Sequence, residues 1–153
     1  MPLSGSSYLA GMGWRHTRQN DGFLNSIQGP DSLASSSDDT GADAVFAQTK
    51  ILAASAKQTY DLKSLTSLLS QSVSFGSVKA MMVISNSGTV TLTPGASNPA
   101  SLFMGGTGAG INIPEGGFVL SASTSSVDAT HKNVDLTAGG SGAQFKIAFL
   151  GGA

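Results

Sequence analysis

The two histidines are the first side chains in this sequence that could perform chemistry. His16 and His131 lie far apart along the chain, and a zinc site or a general base would need them to converge with carboxylates. Asp128 precedes His131 by three residues, but the two residues between them give no helix that would align the side chains. We therefore interpret both histidines as surface residues in loops.

Two further motifs resemble parts of ligand sites but lack the required context. The glycine-rich run Gly106–Gly110 faintly resembles a dinucleotide loop, yet such a loop must open a helix whose N-terminus holds the anion. A strand ending in Pro114 follows instead, which favours a loop between strands. The pair Asp38–Asp39 lacks the alternating oxygen ligands of a calcium loop, and we interpret it as a solvated hinge.

The remaining inventory of reactive groups is equally poor. The sequence has no cysteine, which removes disulfides, thiolate metal sites and cysteine nucleophiles. Serine is abundant, but no G-x-S-x-G elbow is present. We therefore predict a protein that is not an enzyme, with no catalytic residue, no cofactor and no metal site.

The composition favours a subunit of an assembly. Charged residues make up 11% of the chain, against roughly 25% in typical soluble domains, so self-repulsion is weak and close contact with neighbours is easy. Lysine and arginine are scattered and the net charge is −1, which gives nucleic acid no basic patch to bind. No apolar run approaches the roughly 18 residues that span a bilayer, and no signal peptide is expected.

The first 42 residues differ from the rest of the chain. Many glycines and the run Ser35–Gly41 interrupt them, and no helix or strand period persists. They nevertheless carry too many large apolar groups for a solvated linker. These predicted interaction anchors are Tyr8, Leu9, Met12, Trp14, Phe23, Leu24 and Ile27. We predict an irregular arm (1–42) that docks on a neighbouring subunit; packing on the chain's own domain, or stacking of sugars or bases on the aromatic groups, are the alternatives.

Residues 43–153 show the period-two alternation of β-strands. Val78–Ile84 is apolar on both faces, which is typical of a central strand. Leu65–Leu69 is the one helical candidate, and it is too short to stand as an independent helix. The residues predicted to share the core are Phe145, Ile147, Phe149, Leu92, Val90 and Leu120.

Turn signals divide this region into about seven or eight short strands. Asn86–Gly88 and Pro114–Gly117 contain residues that tolerate positive φ, and such signals recur about every 8–12 residues, as in sandwiches and barrels. We therefore predict an all-β fold, an antiparallel β-sandwich of jelly-roll-like or immunoglobulin-like type, with the extended arm before it.

From Phe46 to Gly151 the chain resembles a recurrent kind of small protein encoded by tailed bacteriophages and prophages. In that group a Pro-Gly-Gly turn precedes an apolar strand and an Ile/Leu-Gly ends the chain; here Glu115 interrupts the Pro-Gly pair. The segments that carry the resemblance are Gln48–Ser55, Tyr60–Leu62, Phe75–Met81, Ile113–Gly117 and Phe145–Gly151.

The resemblance implies a structural protein of the virion, assembled in the cytoplasm of the host bacterium. Its partners would be the major capsid protein or other virion proteins, and its resemblance to capsid decoration or cement proteins favours a homo-oligomer, a trimer above all. The alternative is a receptor- or carbohydrate-binding module of a phage tail or head fibre. Neither interpretation involves nucleic acid, a membrane or a catalytic residue.

Overall fold

The computed structural model describes residues 44–67, 70, 72–106 and 108–153, and the backbone of two short strands near the N-terminus. These are β1 (Arg15–Thr17) and β2 (Ser26–Gln28), which pair antiparallel with His16 opposite Ile27. The rest of the predicted arm lies outside the described residues.

The described part of the chain is all-β and contains no helix, which confirms the predicted fold class. Seven strands form one antiparallel sheet with the central order β9-β7-β11-β3, in which β8 and β10 also pair with β7, and β4 also pairs with β11. A separate ladder joins β5 to β6. The strands are β3 (Ala44–Leu52), β4 (Lys57–Asp61), β5 (Leu65–Thr66), β6 (Ser72–Val73), β7 (Ser77–Pro94), β8 (Ile111–Ile113), β9 (Phe118–Ser121), β10 (Ser125–Ser126) and β11 (Asn133–Gly152).

This sheet folds back on itself. Val134 and Phe149 both lie on β11, and fifteen residues of straight strand would separate them by roughly 50 Å. Tyr60 on β4 is the register partner of Val134, yet the ring centroids of Tyr60 and Phe149 are only 6.2 Å apart. Two halves of one sheet therefore face each other. The β3 half comprises β3, β9, β10 and the adjoining parts of β7 and β11; the β4 half comprises β4, β8 and the other parts of these long strands.

Glycines form the corner between the halves. Gly88 on β7 and Gly142 on β11 have φ values of +68° and +81°, which only glycine adopts without strain. A Cβ at Gly142 would lie 2.8 Å from the carbonyl oxygen of Leu52, and one at Gly88 would collide with the carbonyl oxygen of Gly142. The predicted turn at 114–117 lies at the same corner, where the Gly116 amide donates to the Ser85 carbonyl oxygen at 2.8 Å.

The corner corrects one sequence prediction. Asn86–Gly88 was expected to separate two short strands, but β7 runs through it from Ser77 to Pro94. The strand bends without reversing because its partner β11 bends at the same level, where the register shifts between Ala138 and Ala143. Strands that pass from one layer to the other by such bends are known in packed sheets; the finer jelly-roll or immunoglobulin-like type stays a prediction.

Aromatic rings hold the two halves together in the core. Phe46 and Tyr60, from opposite halves, have centroids 5.9 Å apart, and Phe75 lies 6.2 Å from Phe149. Five of the six predicted core residues are buried in this cluster: Val90, Leu92, Phe145, Ile147 and Phe149. The sixth, Leu120, was assigned wrongly. Its neighbour Val119 packs against the core, whereas Leu120 pairs with Met82 on the opposite side of the sheet.

Candidate interaction surface

The side of the β3 half that faces away from the core is apolar. Antiparallel sheets with one solvated side normally alternate apolar and polar residues, but here most residues on the side away from the core are apolar as well. We call this surface the outer face, and all its members except Thr49, Gln144 and Lys146 are apolar. It consists of Val45, Ala47, Thr49 and Ile51 on β3, Gln144, Lys146, Ala148 and Leu150 on β11, Ala80, Met82 and Ile84 on β7, and Phe118 and Leu120 on β9.

Register places these residues in rows across the strands. Ala47, Ala148, Met82 and Leu120 are successive partners on β3, β11, β7 and β9. Met82, Ile84 and Ala148 form an apolar cluster separate from the core, against which Leu120 packs. A shallow groove of about 190 Å³ runs between β3 and β7 over this cluster.

The edges of the outer face are exposed. Val45, Ile51 and Phe118 are 48%, 72% and 39% exposed, and within the described residues they are the exposed large hydrophobic side chains. Scattered single apolar residues on a surface are ordinary, but these three border one continuous apolar surface. Such a surface is typical of an interaction site.

The corresponding side of the β4 half provides an internal comparison, because the same long strands build it. Its residues are polar: Lys57, Thr59 and Asp61 on β4, Thr89, Thr91 and Thr93 on β7, Asn112 on β8, and Asp135 and Thr137 on β11. We call it the polar face. This half shows the alternation expected of a sheet with one solvated side.

Hydrogen bonds to a carboxylate on the polar face connect β4 to β11. The Asp135 carboxylate accepts hydrogen bonds from Thr59 Oγ1 at 2.6 Å, Lys57 Nζ at 3.0 Å and the Ala96 amide at 3.2 Å. Burial disfavours the charged form of Asp135, but these hydrogen bonds outweigh it and lower the pKa of the carboxyl below its ordinary value. The Asp135 carboxylate, which accepts all these hydrogen bonds, therefore has a structural role.

His131 lies in a surface loop, as predicted, but a turn brings it to Asp128, which the sequence reasoning missed. His131 Nδ1 is 3.1 Å from both carboxylate oxygens of Asp128, and the two side chains are 60% and 57% exposed. Hydrogen bonds from His131 and Thr130 lower the pKa of Asp128. The ability of aspartate to bond the backbone two residues later could have signalled this turn. No group of three or more potential ligands that could hold a metal ion occurs in the described residues.

The other predicted features divide between the described and the remaining residues. Strand β8 begins at Ile111, directly after Gly110, as predicted, so the helix that a phosphate loop requires does not follow the glycine-rich run. Ile27 lies on β2; the hinge Asp38–Asp39 and the other arm anchors lie outside the described residues. Sequence reasoning placed the interaction site in the arm alone and missed the outer face, although Val78–Ile84, apolar on both sides, was its signal.

Comparison with known proteins adds no family. No family model matches the chain, and a search of curated proteins gives no match either. The resemblance to small tailed-phage proteins therefore stays a prediction. Among the described residues, no helix has the length and apolar character needed to cross a membrane.

Proposed function

We propose that the protein is a non-enzymatic structural subunit of a larger assembly. The observation that supports this is the contrast between the two halves of one bent sheet, each taken on the side that faces away from the core. Side chains that point away from the core are polar on the β4 half and, apart from Thr49, Gln144 and Lys146, apolar on the β3 half, although β7 and β11 run through both. A sequence that keeps one half solvated and the other apolar is suited to covering the apolar half with a neighbour.

The size of the outer face fits this role. Four strands spaced about 4.8 Å apart, over about seven residues of about 3.3 Å each, give a footprint of roughly 450 Å². The largest apolar patch of an ordinary monomer is about 300–600 Å² and often functional. Association through such a surface removes apolar area from water, which is the main driving force of most protein assembly.

The specific form that we propose is a virion protein of a tailed bacteriophage, a decoration or cement protein that stabilises the capsid by subunit contacts. The resemblance of residues 46–151 supports it, and so does the low fraction of charged residues. The partners would be the major capsid protein and further copies of this chain, with a trimer as the favoured state.

The test is to purify particles from cells that make the protein and to measure its copy number by quantitative mass spectrometry. We expect a fixed stoichiometry to the main shell protein, and binding when purified protein is added to particles that lack it. Absence from the particles, together with no cosedimentation of added protein, would overturn the proposal.

A further inference from the structure

We propose that residues 1–43 of one copy pack on the outer face of a second copy and so join the subunits head to tail. This inference rests on the proposed function, since it identifies the neighbour that covers the outer face.

The two surfaces match in apolar character. The outer face presents ten apolar side chains from four strands, and residues 1–43 contain the only tryptophan of the protein, Trp14, with further large apolar groups spaced along the segment. A segment of this composition gains free energy by burying its apolar groups in a groove. The groove over Met82 and Ala148 is open to receive them.

The two parts also have opposite net charge. Residues 1–43 carry five aspartates and two arginines, a net charge of −3, whereas residues 44–153 carry six lysines, three aspartates and one glutamate, a net charge of +2. Lys146 is the charged member of the outer face. Complementary charge steers association and suppresses self-repulsion between copies.

The length of the segment allows it to reach the outer face of a second copy. The segment joins β3 at Ala44, on the edge strand of the outer face, and the stretch between Gln28 and Ala44 alone could extend to roughly 50 Å, well beyond a domain with a radius of gyration of about 13 Å. In the single chain, Val45, Ile51 and Phe118 remain exposed at 48%, 72% and 39%.

A contact between an arm and a face joins two different surfaces, so it is heterologous. Heterologous contacts close into rings when the rotation between subunits permits. The favoured trimer is one such ring, and each of its subunits would donate one arm and receive another. This exchange of arms requires no contact surface other than the arm and the outer face.

Trp14 makes the contact measurable in the full chain. In the oligomer its fluorescence emission should lie at the short wavelengths of a buried indole. Ala47→Glu introduces a charge at an exposed position within the outer face; the matched control Asn112→Glu does so at an exposed position on the polar face. We expect Ala47→Glu to shift Trp14 emission to longer wavelength and to yield the 15.3 kDa monomer by light scattering, with unchanged circular dichroism. Asn112→Glu should behave as the wild type.

A mixing experiment decides between a second copy and the same copy. Full-length Ala47→Glu protein keeps its Trp14 but has a blocked face, while Trp14→Phe protein has an intact face and no indole. When the two are mixed, Trp14 emission should shift to shorter wavelength, because the arm of the first binds the face of the second. The control is a protein that carries both substitutions and therefore has a blocked face and no indole. When it is mixed with the Ala47→Glu protein, Trp14 emission should not shift.

Two results would overturn the inference. One is a wild-type monomer with buried Trp14, in which the arm packs on its own domain; the other is unchanged emission in Ala47→Glu and in the mixture. Either result leaves the copy number in particles untouched, so this inference can fail while the proposed function stands. Absence of the protein from particles would remove the proposed function without changing the fluorescence.

Discussion

Phe149 tests the packing of the two halves most directly. Its side chain is fully buried, and its ring lies 6.2 Å from each of the rings of Phe46, Tyr60 and Phe75. Tyr60 belongs to the β4 half, whereas Phe149 and Phe46 belong to the β3 half. Replacing Phe149 by alanine therefore removes a side chain on which the contact between the halves depends.

The structure sets the expected magnitude. Large-to-small changes of a buried phenylalanine cost about 3–5 kcal/mol, counting the transfer of the ring and the cavity left behind. Aromatic pairs contribute about 0.5–1.5 kcal/mol each beyond burial, and three are lost here, so we expect a value near the upper end. Whole domains are stable by about 5–15 kcal/mol, which makes this a large fraction of the total.

The assay is equilibrium unfolding by urea, and Phe118→Ala is the matched control. Phe118 lies on the outer face and is 39% exposed, so its removal should cost only about 1–2 kcal/mol. Both variants are compared at one protein concentration, because subunit association contributes to the measured free energy. Equal losses for the two variants would show that the inward and outward sides of the β3 half were assigned wrongly.

Three further results are expected. Gly142→Ala should cost about 1–3 kcal/mol because of its positive φ, whereas Gly140→Ala, with open space around its Cβ, should be nearly neutral; similar losses would contradict the corner. The stabilisation by the Asp135 carboxylate is complete above its unfolded-state pKa of about 3.9 and is lost as the pH falls through the lower folded-state pKa. Asp135→Asn should therefore flatten the acid part of a stability profile, and an unchanged profile would refute this. A chain without residues 1–42 should keep its β-rich circular dichroism but bind particles that lack the protein more weakly than the full chain does; equal binding would show that the arm is not an assembly element.

Much of the fold could be predicted from local pattern. Alternation identified Phe145, Ile147 and Phe149 as one buried side of a strand because side chains in a strand point to opposite sides with period two. The same rule could not show that β7 and β11 are single bent strands. A glycine with positive φ can reverse a chain or bend it, and which occurs at Gly88 depends on its partner strand, which is distant in sequence.

The candidate site was harder to predict for a related reason. Val78–Ile84 is apolar on both sides, and such a strand in isolation reads as a central strand covered on both sides by its own chain. Only the register with β9 and β11 shows that Ala80, Met82 and Ile84 point away from the core with Leu120 and Ala148. A strand sequence that is apolar on both sides does not show which of the two sides is covered by the chain's own core.

An apolar strand pattern on both sides also creates a problem of register. A one-residue slip moves every side chain to the other side of a sheet, and where both sides are apolar, hydrophobicity penalises such a slip less. Backbone geometry must then supply the specificity. A Cβ at Gly151 would collide with the carbonyl oxygen of Ser77, and one at Gly88 would collide with the carbonyl oxygen of Gly142 at the corner. These close approaches fix β7 against β11 at both ends of the β3 half, so the same register that buries Phe149 holds Ala148 and Leu150 on the outer face.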